Sequence, residues 1–590
     1  MFLPLTKQEM INREWDNPDF ILITGDAYVD HPSFGAAIIS RMLESNGYKV
    51  CILAQPDYKN VNEFKKFGKP RLGFLITSGV VESMVNNYTV NKKKRRSDVY
   101  SPNNINDQRP DRAVIVYSNL ARQAYKDVPI ILGGIEASLR RLAHYDYWQD
   151  KMRRSILLDS KADLIVYGMG ERTIIDIADT LNNGVSITDI TFLEGTVFKT
   201  KDVSYLEHIL LPSYNDLLED KLNYAKSFKI QSQNTDAING TILVESYGDW
   251  FVVQNTPTIP LNSYELDEVY GLEYERDYHP IYEESGGIKA IQEVKHSIIA
   301  NRGCSGGCNF CALTYHQGRT VSARTKESIL EEAKIIIKCS DFKGYINDVG
   351  GPTANFFESM CDKQTKYGTC KDKQCLAPCN QLKVTHKKYL SILRSIRNLP
   401  DVKKVFVRSG IRYDYLLLDK DKSFFKELVK YHVSGQLRVA PEHISSEVLK
   451  VMGKPQKEVY EKFVHQFDVY NKQYNMNQFI VPYLMSSHPG SDLNSAIELA
   501  EYLHKTNQHP EQVQDFYPTP STMSTVMFYT GVNPITMKPV HIPKTDKEKK
   551  MQRTLLQYRD PKNKSLVKDA LILANRNDLI GYEKHCLIRS

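Results

Sequence analysis

Short apolar runs alternating with stretches of helical period dominate the first third of the chain. Residues 20–24 form one such run, which ends at Gly25-Asp26. Apolar positions then recur at Ala36, Ile39, Met42 and Leu43, a helical spacing that begins at Gly35 and stops at Asn46-Gly47. An Asn-Gly pair ends helices because both residues tolerate the left-handed conformation. Residues 48–54 read as the next strand, followed by 73–77, 113–117, 129–132 and 163–167. Short strands separated by helices predict a parallel, doubly wound sheet. Ligands on such sheets bind beyond the strand C-terminal ends. This chain places Gly25-Asp26, Gly133-Gly134-Ile135-Glu136 and Gly168-Met169-Gly170-Glu171 there.

The pattern loosens over 201–285, where 209–220 and 246–260 read as irregular connection rich in Asn, Asp, Tyr and Pro. Gly286-Gly287 marks a boundary. Alternation then resumes. Strands are expected at 296–300, 344–349, 404–408, 436–439 and 478–484, with a strongly helical pattern at 326–338. Strand, loop and helix in repetition predict a partial (β/α) barrel, whose chemistry sits on the loops after its strands. The expected division is 1–200 for the doubly wound α/β unit, 201–285 for the connection, 286–530 for the barrel and 531–590 for a lysine-rich helical extension.

Composition narrows the class without naming it. A chain of 590 residues with 41% hydrophobic and 25% charged positions suits two or three globular domains. No run approaches a membrane span, and the N-terminus lacks the basic and apolar regions of a secretion signal, so a cytoplasmic protein is expected. The net charge of +7 permits a nucleic-acid partner without arguing for one. Ten cysteines in a reducing compartment read as ligands more readily than as disulfides.

Three of them, Cys304, Cys308 and Cys311, stand in a C-x3-C-x2-C array with Phe310 just before the third. Three thiolates on one loop can hold three irons of a four-iron cluster and leave the fourth iron open to a small chelating molecule. Zinc, a disulfide framework and buried packing are the alternatives. A zinc site needs a fourth ligand at finger-like spacing. His316 lies five residues past Cys311, but no second C-x2-C answers the first.

The loop closely resembles the signature of the radical S-adenosylmethionine (SAM) superfamily. Segments 318–331 and 442–454 resemble its methylthiotransferase branch. Segments 25–35, 133–148, 516–520 and 527–531 resemble the YgiQ-type radical SAM family along nearly the whole chain. The resemblance implies a [4Fe-4S] cluster on Cys304, Cys308 and Cys311. It also implies SAM bound at the open iron and cleaved to a 5′-deoxyadenosyl radical, with a one-electron donor such as flavodoxin or ferredoxin as partner. It places SAM contacts at Phe310, Gly350, Gly351, Arg408, Ser409 and Glu442. The family's Gly-Gly-Glu motif has Pro352 at its third position here. It names no substrate and no catalytic base or nucleophile. In related enzymes an N-terminal doubly wound domain binds cobalamin through Asp-x-His-x-x-Gly. This chain has Asp30-His31 followed by Gly35, with the spacing altered on both sides of the histidine. The expectation is a cobalamin-binding-like fold without a histidine-ligated cobalamin, with cobalamin held without that histidine as the alternative. Asp26, Asp30 and His31 form either a functional polar cluster at the sheet edge or helix caps.

A second group, Cys361, Cys370, Cys375 and Cys379, follows C-x8-C-x4-C-x3-C spacing among four lysines. Four thiolates suit a second metal, zinc or an iron–sulfur cluster, and free thiols are the alternative. Cys51, Cys339 and Cys586 read as packing residues. The run Lys92–Arg96 suits RNA phosphates or a solvated loop. A competing reading is therefore a non-catalytic zinc- or RNA-binding protein on the same scaffold.

Overall fold

Phe20–Thr24 (β1) has no polar side chain before its last residue and is buried along its whole length, as a parallel strand covered on both faces must be. It pairs in parallel with Val50–Ala54 (β2) on one side and Gly73–Thr77 (β3) on the other. Ile130–Leu132 (β4) and Leu164–Val166 (β5) extend the parallel set beyond β3. The computed structural model describes residues 1–376 and 379–589. In it the parallel order is β2-β1-β3-β4-β5, so the winding reverses at β1. Alternate residues feed two cores: Ile21, Ile23 and Ile76 face helix Ala113–Ala124, while Phe20, Leu22 and Leu75 share a core with helix Glu171–Asn182.

Two expectations about this half are corrected. Residues 113–117, expected as a strand, open the helix Ala113–Ala124. Its buried positions include Val114, Tyr117, Ser118 and Ala121, a three-and-four spacing that no strand puts on one face. Residues 246–260, expected as irregular, contain most of a hairpin between Leu243–Tyr247 and Trp250–Gln254. Gly248 turns it at φ +72°, a conformation open to glycine. Numbering Thr196–Thr200 as β6, Ile209–Leu210 as β7 and the hairpin as β8 and β9, the nine-stranded sheet runs β7-β8-β9-β6-β5-β4-β3-β1-β2. It extends past residue 200 into the segment expected to be a connection.

The second half is an arc of short parallel strands. Ser297–Ile299 (β10) pairs with Asp348–Gly350 (β12), and Tyr345–Ile346 (β11) pairs with Lys404–Val405 (β13). Gln436–Glu442 (β14) pairs with Phe479–Ser486 (β15), which pairs with Gln514–Asp515 (β16). Helices Lys326–Ile337, Lys387–Arg397, Lys457–Gln473 and Leu493–Lys505 make the returns. The fold is a doubly wound α/β sheet followed by a partial (β/α) barrel. The lysine-rich end joins the barrel core, because Met551, Leu555, Val567 and Leu571 bury one face of helices Asp546–Leu556 and Lys564–Leu573 there.

Buried ion pairs join the halves. Arg302, beside β10, pairs with Glu171 and donates from Nε to Tyr270 Oη at 2.9 Å. Arg276 reaches Glu332 on the first barrel helix at 2.8 Å, and Arg324 pairs with the same carboxylate.

Burial keeps several histidines as neutral rings. Burial lowers His31, His144, His443 and His488 to about 3 and His432 to about 4. His432 Nδ1 lies 2.8 Å from Val405 O, and His488 is held between Pro489 O and Ser524 Oγ, each at 2.7 Å. Unfolding restores the ordinary value near 6.5, so the unfolded chain takes up protons first as pH falls. The histidine contribution is complete above about pH 6.5, and each ring costs about 1.4 kcal/mol per pH unit below it until its folded value is reached. Burial also raises the Asp26 and Glu245 carboxyls to about 6 and about 7, and these take up protons in the folded chain first, which offsets part of the loss. With five rings against these two carboxyls, the thermal midpoint is expected to drop from about pH 7 to about pH 5. A flat midpoint over that window would contradict the assignment.

Candidate functional site

The cysteine loop begins where β10 ends. Asn301–Arg302 pairs antiparallel with Ser322–Ala323, and this closes the loop at its base. Gly303 has φ +78°, and a Cβ there would lie 2.0 Å from Thr320 O, so only glycine fits. Cys304 N donates to Gly318 O at 3.1 Å, and Cys311 N donates to Cys308 O at 3.1 Å. The far side is tied to the barrel. Asn309 donates from N to Met452 O at 2.9 Å and from Nδ2 to Val451 O at 2.7 Å.

The three sulfurs are half-buried and free of disulfides. Burial, with Cys308 and Cys304 adjoining, pushes the Cys311 thiol up to about 12. Such a group becomes a thiolate most readily when a cationic centre binds it. Arg412 supplies part of that charge. It is buried, chelated by Asp414 through Nε at 2.8 Å and Nη2 at 2.5 Å, and stacked 5.4 Å from the Tyr415 ring centroid. Its Nη1 has no hydrogen-bond partner and stands 2.4 Å from where a Cβ on Gly306 would be, itself 3.3 Å from Cys304 Sγ. Gly306 thus leaves the guanidinium against the cysteine loop. Burial opposes its charge, but Asp414, Cys308 and Cys304 outweigh this and hold Arg412 well above its ordinary range. Among the described residues no three His, Cys, Asp or Glu side chains converge as on a single ion. Three cysteines on one loop with no fourth ligand at finger-like spacing are a donor set suited to three irons of a cluster.

Gly350 and Gly351 end β12 beside this loop. A Cβ on Gly351 would fall 2.4 Å from Asn301 O, and one on Gly350 would fall 2.4 Å from Ser409 Oγ. Asn301 is buried and donates to Thr353 O at 3.2 Å and Phe356 O at 2.7 Å. Asp348 accepts from Arg408 N at 2.8 Å, from Ser409 N at 3.2 Å and from Ser409 Oγ. Burial raises the Asp348 carboxyl against these bonds. Gly350, Gly351, Arg408 and Ser409 all line one cavity of about 1000 Å³. Its lining reaches Leu313, His316 and Gln317, just past the cysteine loop, but none of the three cysteines. Glu442 and Phe310 also stand outside it. Glu442 is buried at φ +69° with Oε2 unpartnered and its carboxyl raised by burial. Phe310 packs on His488, with centroids 5.9 Å apart.

The cavity continues onto the C-terminal edge of the sheet, where Thr24, Asp26, Thr77, Gly79, Gly133 and Glu171 line it. The expected polar cluster here is used internally. Asp26 pairs with Arg109, Asp30 pairs with Arg41, and His31 Nδ1 accepts from Ser33 N at 3.1 Å. Burial pushes Asp26 up to about 6 in spite of Arg109. His316 Nδ1 lies 3.1 Å from Ser138 Oγ, on the sheet half of the chain. Asn301, Asp348 and Arg412 escaped the sequence reading. Asn301 adjoins the cysteine loop and Arg412 lies four residues past Arg408, so position was the available signal.

The second cysteine group lies against the first. Gln374 Nε2 donates to Gly307 O and Asn309 Oδ1, each at 2.6 Å, and Tyr415 Oη donates to Cys375 O at 3.2 Å. Burial raises the Cys375 thiol, opposed by Arg319, with Cys370 and Cys361 adding to the rise. In the basic run, Lys94 pairs with Asp107 and Lys92 lies 4.8 Å from the Tyr147 centroid. No helix among the described residues is long and apolar enough to cross a membrane.

Residues 2–297 match the family model "Radical SAM N-terminal", and residues 511–590 match a domain of unknown function, DUF3362. A UPF0313 protein of Clostridium perfringens (strain 13 / Type A) is 56% identical over 592 residues, covering 100% of this chain and 89% of the relative. One from Clostridium botulinum (strain Kyoto / Type A2) is 57% identical over 590 residues, covering 100% and 92%. Among solved structures, the radical SAM methyltransferase TsrM from Kitasatospora setae, with cobalamin and a [4Fe-4S] cluster bound, aligns at TM-score 0.48 and 12% identity. The alignment covers 86% of this chain and 74% of TsrM. The cobalamin-dependent SAM radical enzyme OxsB, with aqua-cobalamin bound, aligns at TM-score 0.47 and 11% identity, covering 90% and 58%. The expectation against cobalamin finds no support: the motif is altered, yet a large cavity stands open above the sheet. The chain belongs to the UPF0313 family, within the radical SAM superfamily.

Proposed function

We propose that this protein is a SAM-cleaving radical enzyme in which Cys304, Cys308 and Cys311 hold a four-iron cluster. The observation that carries the reading is the loop itself: three free thiols in C-x3-C-x2-C array and a guanidinium packed against Gly306. When bound, the cluster supplies one electron to the sulfonium of SAM, the chemistry from which this superfamily's carbon radical arises. The chain's own residues bind and orient. Gly350 and Gly351 expose backbone to the cavity, and Arg408 brings a guanidinium suited to a carboxylate. Asp348 fixes the turn at Arg408 and Ser409. Arg412 balances thiolate charge from the protein side.

About 1000 Å³ lies at the top of the range for one small ligand, so the cavity has room for a second molecule beside SAM. Its sheet side is lined by Leu22, Ile38, Leu75, Ile131 and Ile174 together with the strand-end glycines. A large, partly apolar ligand suits that half, and a cobalamin held without a histidine ligand is the second reading this lining favours.

Three outcomes follow. Anaerobically reconstituted protein with dithionite and SAM is expected to release 5′-deoxyadenosine, and Cys308→Ala to release none. Wild type with a full cluster behaving like Cys308→Ala would refute the proposal. Gly351→Ala, which drives a methyl into Asn301 O, is expected to slow release at least about tenfold while leaving iron content unchanged; an unaltered rate would remove Gly351 from the SAM site. Protein dialysed against hydroxocobalamin is expected to retain about one corrinoid per chain by visible absorbance. Retention no higher than for a β-sheet control protein would leave the sheet-side half to substrate.

A further inference from the structure

Side chains that face the interior of a (β/α) barrel are mostly branched and apolar, and they fill it. β14 instead turns a polar face to the cavity. Its burial alternates: Leu437 and Val439 belong to the barrel core, and Gln436 and Arg438 are exposed. Gln436 and Arg438, with Ser434 two residues before the strand, line the same cavity as Gly350, Gly351 and Arg408. Arg438 is the charged member of this face. Among the described residues it has no carboxylate within ion-pair distance and no side-chain hydrogen bond. The cavity's carboxylates are otherwise placed. Asp26 and Glu171 pair with Arg109 and Arg302, and Asp348 accepts from the amides of Arg408 and Ser409. Glu293, also on the lining, is exposed and pairs with no arginine among the described residues. A guanidinium cannot shed its proton in a protein. Arg438 therefore brings a full positive charge and a fork of unused donors into a partly enclosed space, where an anion answers both.

We propose that Arg438 is an anion-binding subsite for the substrate, which carries a carboxylate or a phosphate. Gln436 and Ser434, on the same face, supply neutral donors beside it. The assignment to substrate rests on the SAM site proposed above. SAM has one carboxylate, and Arg408 is the guanidinium that meets it there. Arg438 is a second guanidinium, on the next strand and set back four residues from that strand's end at Glu442. SAM has no further anionic group to offer it. The charge is left for the second molecule that a cavity of about 1000 Å³ has room for. Anchoring the substrate by a charged group fixes its position relative to SAM, which hydrogen abstraction from one carbon requires.

Phenylglyoxal, which attacks guanidinium groups, tests this on wild-type, anaerobically reconstituted full-length protein. Peptide mass spectrometry follows each arginine separately. Arg438 is exposed and is expected to react in chloride. Inorganic phosphate or acetate, at equal ionic strength, is expected to slow its reaction at least about threefold relative to the exposed Arg589. SAM is expected to leave it unchanged. Slowing by phosphate alone assigns a phosphate to the substrate, and slowing by acetate alone a carboxylate. Equal slowing by SAM would give Arg438 to SAM and overturn the proposal. A rate that neither anion alters, or no reaction in chloride, would overturn it as well. Arg408 is the internal comparison, because SAM is expected to slow its reaction. Absence of that protection would count against the SAM site while anion protection at Arg438 still stood, so the two readings fail separately.

Discussion

The close approach of Asn301 to Gly351 is the constraint on which the rest of the site depends. Two parallel strands, β10 and β12, end side by side. The backbone of one passes where a side chain of the other would have to be. Asn301 then spends its amide on the turn after the glycines, at Thr353 and Phe356. The next residue, Arg302, spends its guanidinium on Glu171 and Tyr270 in the other half of the chain. Gly303 and Cys304 follow at once. Within four residues the chain ends a barrel strand, docks the sheet and launches the cysteine loop. A methyl group at Gly351 would press on Asn301, at the strand end of this run.

How much of this was legible depended on whether the determining contact was local. β1 to β5 were found because parallel strands covered on both faces are apolar runs, visible in any short window. Residues 113–117 show the limit of that signal. Ala-Val-Ile-Val-Tyr is β-prone, and only the buried Ser118 and Ala121 beyond it reveal the helical period. The 243–254 hairpin was missed because polar Glu245, Ser246 and Tyr247 interrupt it, and the buried Glu245 is satisfied by a distant partner, the Ala143 amide. The three cysteines were legible because one loop carries them all. Arg412 was not, since it meets Gly306 across more than a hundred residues. The cobalamin motif is altered around His31, but the cavity above it depends on how two halves meet, which no local pattern states.

The way they meet is electrostatic and directional. Glu171, Arg302, Glu332, Arg324 and Arg276 are each at least nine-tenths buried. Buried pairs of this kind contribute little net stability, because desolvating both charges costs about what their attraction returns. Leaving one partner alone is far more costly, so the pairs penalise any docking that separates them. Apolar surfaces would tolerate sliding; a guanidinium held by a carboxylate and a tyrosine hydroxyl does not.

That distinction bears on the cavity. Its walls come from strand ends of both halves, Thr24, Asp26 and Gly133 on the sheet and Gly350, Ser409 and Arg438 on the barrel. Neither half encloses a ligand alone. A shift of a few ångströms between them would change the cavity's shape without disturbing either core, since each half has hydrophobic clusters of its own. Fixed docking is therefore needed for the site and not for folding, and it is supplied where the requirement lies. Arg302 and Glu171 both line the cavity they hold in register. Under the proposed radical chemistry this placement is intelligible. A reactive carbon centre must meet one hydrogen and no other, which demands walls that do not slide.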